Sequence, residues 1–216
     1  MNRAALIAQV GLRCGIPTTD TVGTALMDDA VNEAIHHVET WGGGDWPWLY
    51  DEVETATTAN QEYLLFSTIT PNIGDAVRSV RSVEWLAATD TWEPLQRITK
   101  RELRKAYQGY SASSQIDHYA VDGNRILFAP TPNAALDVRI AVIVTEPDLD
   151  SDSDTPLLPA IHHRVLVAHA AALVLEDLQR WKEAKVQAER AEAALTRMPG
   201  VVRAHTGPGR IARTGL

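Results

Sequence analysis

A single cysteine, Cys14, is all the thiol chemistry the chain possesses, so no internal disulfide can form and nothing points to an oxidising compartment. Long apolar runs are missing too. The most apolar stretch, 165–175, is interrupted by His169 and is far shorter than the ~20 residues that cross a bilayer. The first residues hold one Arg and a brief apolar run, 4–10, then Arg13, with no small-residue cleavage pattern; a signal peptide is not expected. Synthesis in a reducing cytoplasm and no membrane partner are the expectations. Positive charge is scarce, with 20 Lys and Arg against 28 Asp and Glu. The net charge of −8 argues against broad wrapping of nucleic acid. Acids in turn vanish after Glu192, where Arg197, Arg203, Arg210 and Arg213 remain. One-signed asymmetry of this kind marks a surface meant for a partner.

Motifs that carry chemistry are also missing. There is no GxSxG, Walker loop, GxGxxG or HExxH. The run Asp148, Asp150, Asp152, Asp154 resembles a calcium loop only superficially. An EF-hand needs Gly at its sixth place and Glu at its twelfth. Counted from Asp150 those places hold Thr155 and Ile161, and from Asp148 they hold Ser153 and Pro159. A solvated loop ahead of a helix N-terminus is the expectation. In the pairs His36-His37 and His162-His163, neighbouring helical residues point about 100° apart and cannot chelate together. One His from each pair could meet across a bundle, but no Cys or spaced carboxylate completes a metal set. Cys14 has no motif linking it to a base and reads as a partly buried thiol. Gly42-Gly43-Gly44 follows a helix, the wrong context for a phosphate loop. No catalytic residue, metal or cofactor is expected.

What the chain does contain is periodicity. Helices are predicted over 3–13, stopped by Gly15 and Pro17, and over 24–41, where Leu26, Ala30 and Ala34, or Val31, Ile35 and Val38, form an apolar face. Three glycines then end the helix. Segments 53–58, 62–66 and 77–85 are rich in β-branched and aromatic residues and read as strands; 96–99 reads as a short one. Thr99 with Glu102 forms a capping-box signature for a short helix near 100–108. Asp122-Gly123-Asn124 between 118–121 and 125–129 is a hairpin signal, and 138–145 is the last strand. Short connections favour antiparallel pairing. Helices return over 160–177, with Pro159 at the start, and over 180–197, where Trp181, Ala184, Ala188, Ala191 and Leu195 mark the inward stripe.

The fold class is therefore α+β: helices from both ends of the chain form a bundle, and an antiparallel β module is inserted between them. The expected organisation is 1–50 for the first bundle helices, 51–147 for the β module, 148–198 for the acidic loop and helix pair, and 199–216 for an extended basic arm. Trp46, Pro47 and Trp48 cluster at an element junction, where aromatic residues anchor a segment to the core. With no basic residue between Trp41 and Val77, base stacking is the weaker reading. In the tail, Val201, Val202, Ile211 and Leu216 alternate with Arg203, Arg210 and Arg213, a pattern suited to an arm laid on a partner.

Taken in order, these pieces resemble a known family. An early helix ends in Asp45-Trp46-Pro47-Trp48-Leu49. A hairpin ends in Ile126-Leu127-Phe128-Ala129-Pro130-Thr131-Pro132-Asn133. A strand leads to Glu146-Pro147-Asp148-Leu149, and Pro156-Leu157-Leu158-Pro159 precedes Ile161-His162-His163 and two helices ending at Arg197-Met198. Over about residues 24–198 the chain is similar to the head-to-tail adaptor (connector) proteins of tailed bacteriophages. The resemblance implies a structural, non-enzymatic virion subunit in the head-tail neck, made in the host cytoplasm. It implies a ring, usually of twelve copies, docked beneath the portal protein and joined to a tail or stopper protein. Genomic DNA would pass through the lumen without sequence-specific binding, sliding along an acidic wall that repels it. It also implies that the arm, with Val201, Val202, Arg203, Arg210, Ile211, Arg213 and Leu216, engages the portal. Two other readings stay open: a stopper or tube-terminating protein of the same neck, and a small nucleic-acid-binding module using Trp46, Trp48 and the basic tail.

Overall fold

A computed structural model describes residues 1–44 and 46–198; the seven arm residues named above lie outside the described residues. In chain order the elements are α1 (Arg3–Cys14), α2 (Thr21–Thr40), β1 (Tyr50–Ala56), β2 (Tyr63–Leu65), β3 (Val77–Ala88), β4 (Thr91–Pro94), β5 (Gln96–Arg97), α3 (Lys100–Tyr107), β6 (His118–Asp122), β7 (Arg125–Ala129), β8 (Asp137–Val144), α4 (His163–Asp177) and α5 (Trp181–Leu195). The fold is α+β. Two compact units are present: a β unit of Met1–Leu6 with Trp48–Ala160, and a helical unit of Ile7–Pro47 with the residues from Ile161 onward.

In the helical unit α4 packs against both α2 and α5. Its sequence explains why. Val165, Leu166, Val167, Ala168, Ala170, Ala171, Ala172, Val174 and Leu175 are all buried, so this helix is apolar around most of its circumference, as a central helix must be. Its alanines let neighbouring backbones approach closely. Helix α2 begins three residues earlier than the periodicity predicts, because the Asp20 carboxylate accepts from the Val22 amide at 3.1 Å and caps the first turn. It ends at Thr40, where Gly42, Gly43 and Gly44 all take positive φ, as the triple glycine requires. Between α4 and α5, Gln179 adopts φ 57° while Arg180 N–H donates to the Leu175 carbonyl at 2.8 Å, a left-handed helix stop that reverses the chain.

The β unit contains two four-stranded sheets, ordered β1-β8-β3-β4 and β2-β7-β6-β5. Strand β8 lies inside the first sheet and is buried from Ile140 to Val144, which is why it reads as the most continuous apolar run. Strand β4 was not predicted; it forms because a turn with Asp90 at φ 59° folds Thr91–Pro94 back on β3. All pairs are antiparallel except β5 with β6, where Gln96 pairs His118 and Arg97 pairs Tyr119 in parallel. Antiparallel pairing thus dominates, as the short connections favour, with this one two-residue exception. The link between those strands contains α3, a crossover long enough for a parallel return. The β6–β7 hairpin closes from Asp122↔Arg125 through Gly123 at φ 61°, and the capping box on α3 is formed, with Thr99 and Glu102 bonding each other's backbone amides.

The acidic loop is mostly exposed, as expected of a solvated loop ahead of a helix. Within the β unit it also supplies acceptors to the first turn of α1. The Arg3 amide donates to the Asp154 carbonyl at 2.8 Å, the Ala4 amide to the Asp152 carbonyl at 3.4 Å, and the Arg3 guanidinium pairs with the Asp152 carboxylate at 2.5 Å. Acceptors are thereby supplied to amides that a helix start leaves unsatisfied. The Asp154 carboxylate holds the loop itself, accepting from the Asp150 and Ser151 amides at 3.1 and 2.7 Å.

Candidate assembly surface

The Cys14 side chain is 1% exposed and its thiol lies 3.7 Å from the Ala171 carbonyl. Burial pushes its pKa up, against the pull of the Arg180 and Arg13 charges, so the sulfur stays a thiol rather than a nucleophilic thiolate. His37 stacks on His169, with ring centroids 4.1 Å apart and planes at 16°, and His36 lies 3.4 Å from the Glu39 carboxylate. His163 opens α4 and is buried, and His162 precedes it. Among the described residues, no group of three or more His, Cys, Asp or Glu is arranged to hold a metal ion. No described helix is long and apolar enough to cross a membrane.

The aromatic junction has one deep member. Trp46 is 1% exposed and its indole N–H donates to the Val38 carbonyl at 2.7 Å, tying the segment after the glycines to the last turns of α2. Pro47 is exposed and Trp48 half-buried, both in a 3-10 turn.

The helical unit exposes more large apolar side chains than a polar surface helix needs. Leu12, Val22, Ile161, Leu178, Trp181 and Val186 are all exposed, Leu12 by 76%, Ile161 by 80% and Trp181 by 64%. Trp181 was expected on the inward stripe of α5, but only Ala184, Ala191 and Leu195 are buried there. It is the first residue of the helix, on the same side as Ala184 but at the helix end, and it is exposed. A lone exposed Leu is ordinary; an exposed Trp is rarer, and Trp is a side chain that often anchors interfaces.

Arg180 reaches from the start of α5 to the last carbonyl of α1, with its Nη1 donating to the Cys14 oxygen at 2.5 Å, and it also grips the Glu183 carboxylate. A cation at a helix C-terminus is favourably placed. A groove of about 400 Å³ runs beside it, lined by Arg13, Leu175, Lys182, Val186 and Arg190. Burial pushes the Arg13 pKa down, with Arg190 and Arg164 adding to the effect, and Arg13 spends one donor on Gln187 at 2.9 Å. In the β unit, Arg139 on β8 sits opposite Glu54 of β1 and Glu84 of β3. It lies 2.7 Å from Glu54 and 4.2 Å above the Trp92 ring. That lattice fixes strand register on an exposed face.

The sequence signal for the exposure of Trp181 and Val186 was weak, because both fall among residues of a helical repeat. Comparison with known proteins is more direct. The family model described as SU10 adaptor protein matches residues 1–212. No curated protein matches the chain.

Proposed function

The chain belongs to the SU10 adaptor protein family, and from that premise we propose that it is a non-enzymatic head-to-tail adaptor of a tailed-phage virion, forming a ring beneath the portal. A single observation carries this reading beyond the family: the six exposed apolar side chains on the helical unit, with Trp181 foremost. Neighbouring copies in a ring meet through two different faces, so each copy must keep a docking face uncovered until assembly. Aromatic anchors dominate the energy of such faces.

In this reading the helical units stand side by side as the ring wall, and twelve copies is the number the family resemblance implies. The DNA channel of the head continues through the ring toward the tail or stopper protein. The basic segment 199–216 is the arm, and Val201, Val202, Arg203, Arg210, Ile211, Arg213 and Leu216 make the portal contact. Trp46, Pro47 and Trp48 anchor the start of the β module.

Mixing purified portal with the full-length chain, and separately with a chain ending at Met198, tests the arm. Co-sedimentation of the full-length chain alone is the expected outcome. Equal docking by both chains contradicts the arm assignment.

A further inference from the structure

Although the chain is acidic overall, residues 97–105 hold five cations, Arg97, Lys100, Arg101, Arg104 and Lys105, against one acid, Glu102. The structure sorts them. Leu103 is buried against the β6–β7 hairpin and Tyr107 packs beside it, so the opposite face of α3 carries Arg101, Arg104 and Lys105, all exposed. Lys100 is committed to the Asp122 carboxylate, and Glu102 is committed to the cap, accepting from the Thr99 amide at 2.9 Å. Arg101, Arg104 and Lys105 form no ion pair among the described residues.

Aromatic groups adjoin this stripe. Tyr107 meets Tyr110 edge-on with centroids 5.3 Å apart, and Tyr110 is 68% exposed. The Tyr107 hydroxyl is fixed 2.6 Å from His118 Nδ1. Together with Arg104 and Lys105 the two tyrosines line a groove of about 510 Å³ beside β7.

We propose that the exposed face of α3, with Arg101, Arg104, Lys105 and Tyr110, is a contact surface for the phosphate backbone of duplex DNA. Arginine forks match phosphate oxygens, and cations at successive positions on one helix face can follow neighbouring phosphates. A protein partner fits less well. Interface cores are depleted in charged residues, Lys above all, whereas three of the four residues here are cations. The contact is not sequence-selective, since it reads backbone charge. The source of the DNA rests on the adaptor reading, in which the genome runs through the lumen. Against an acidic wall, a few cations per copy would hold the duplex on axis without stopping it.

The test uses the full-length chain and a fluorescent 20-base-pair duplex, with anisotropy measured from about 25 to 200 mM salt. Three proteins are compared: wild type, Arg101→Ala/Arg104→Ala/Lys105→Ala, and the chain ending at Met198. The expected result is salt-sensitive binding by wild type and by the truncated chain. The triple variant should bind at least tenfold more weakly, with the salt slope reduced by about 2.7 in magnitude for three lost phosphate contacts. Unchanged far-ultraviolet circular dichroism shows that the variant is folded. Absence of wild-type binding at 25 mM salt overturns the proposal, as does full affinity in the triple variant. Loss of binding on truncation alone moves the contact to the arm and overturns it too. Polyglutamate of equal charge competing as well as DNA would mark the stripe as a site for an acidic protein instead. None of these outcomes depends on portal docking, so the adaptor reading stands or falls separately.

Discussion

The imidazole of His169 lies flat against that of His37, joining the centre of α4 to the last turns of α2 at a ring separation of 4.1 Å. Burial drives the His169 pKa from 6.5 down to about 4, and the nearby His37 adds to that. The folded chain therefore binds a proton at this site less readily than the unfolded chain. Stability is complete above about pH 6.5 and declines as pH falls toward about 4, below which this contribution levels off. Linkage sets an upper limit near 3 kcal/mol; the site is partly solvated, so about 1–2 kcal/mol is expected. Urea unfolding at pH 4.5 and pH 7.5, for wild type and His169→Gln, isolates the effect. The variant should lose much of the difference between the two pH values; identical pH dependence in both proteins would contradict it.

Asp51 anchors the loop after β2 to the strand β1. Burial works against its charge. Hydrogen bonds from the Asn72 side chain and amide, and from the Glu52 and Ile73 amides, outweigh that cost and hold the pKa below the ordinary carboxylate value. Asp51→Ala should cost about 2–3 kcal/mol, because it removes a charged acceptor and leaves several amides without it. Chemical denaturation measures this directly, and a change below about 0.5 kcal/mol would show that water replaces the carboxylate.

Two glycines with nearly the same backbone angle should respond differently to a methyl group. At Gly74, φ is 72° and an added Cβ would lie 2.5 Å from Val144 Cγ2 and 2.6 Å from the Thr145 carbonyl. At Gly123, φ is 61° and the added atom meets nothing within 4 Å. Gly123→Ala is expected to cost about 1 kcal/mol of backbone strain, and Gly74→Ala at least about 1 kcal/mol more for the overlap. Equal thermal shifts for the two variants would refute the distinction.

Trp181 separates folding from assembly. With its side chain 64% exposed, Trp181→Ala should leave unfolding free energy within about 0.5 kcal/mol of wild type. Ring formation on the portal should weaken by about 2 kcal/mol or more per contact if the indole is an interface anchor. Comparing denaturation with portal co-sedimentation reads both quantities. Loss of stability with normal docking would assign Trp181 to the fold.

Most of the fold was legible in the sequence wherever a local signal and burial agreed. Asp122-Gly123 fixed a hairpin, Thr99 with Glu102 fixed a helix start, and three consecutive glycines ended α2, because each acts within a few residues. The misses have longer-range causes. The acidic residues 148–154 read as a solvated loop ahead of a helix, but the sequence does not show that the Asp152 and Asp154 carbonyls also accept from the first amides of α1; no local pattern encodes that long-range pairing. The parallel β5–β6 contact depends on how α3 folds over the sheet. Trp181 satisfies a heptad-like spacing but is the first residue of its helix and is exposed there. The cations of α3 were plainly present in the sequence, but a net charge of −8 conceals a local excess. Only the placement of Leu103 and Tyr107 inward shows that three of them share the outer face.

The adaptor account rests most heavily on docking, and electron microscopy of purified portal incubated with excess full-length chain tests it most directly. The account predicts a closed ring of chain density, coaxial with the portal and seated on one of its faces, with an open central channel. Portal particles that remain bare at saturating chain, or carry density away from the axis, would contradict it.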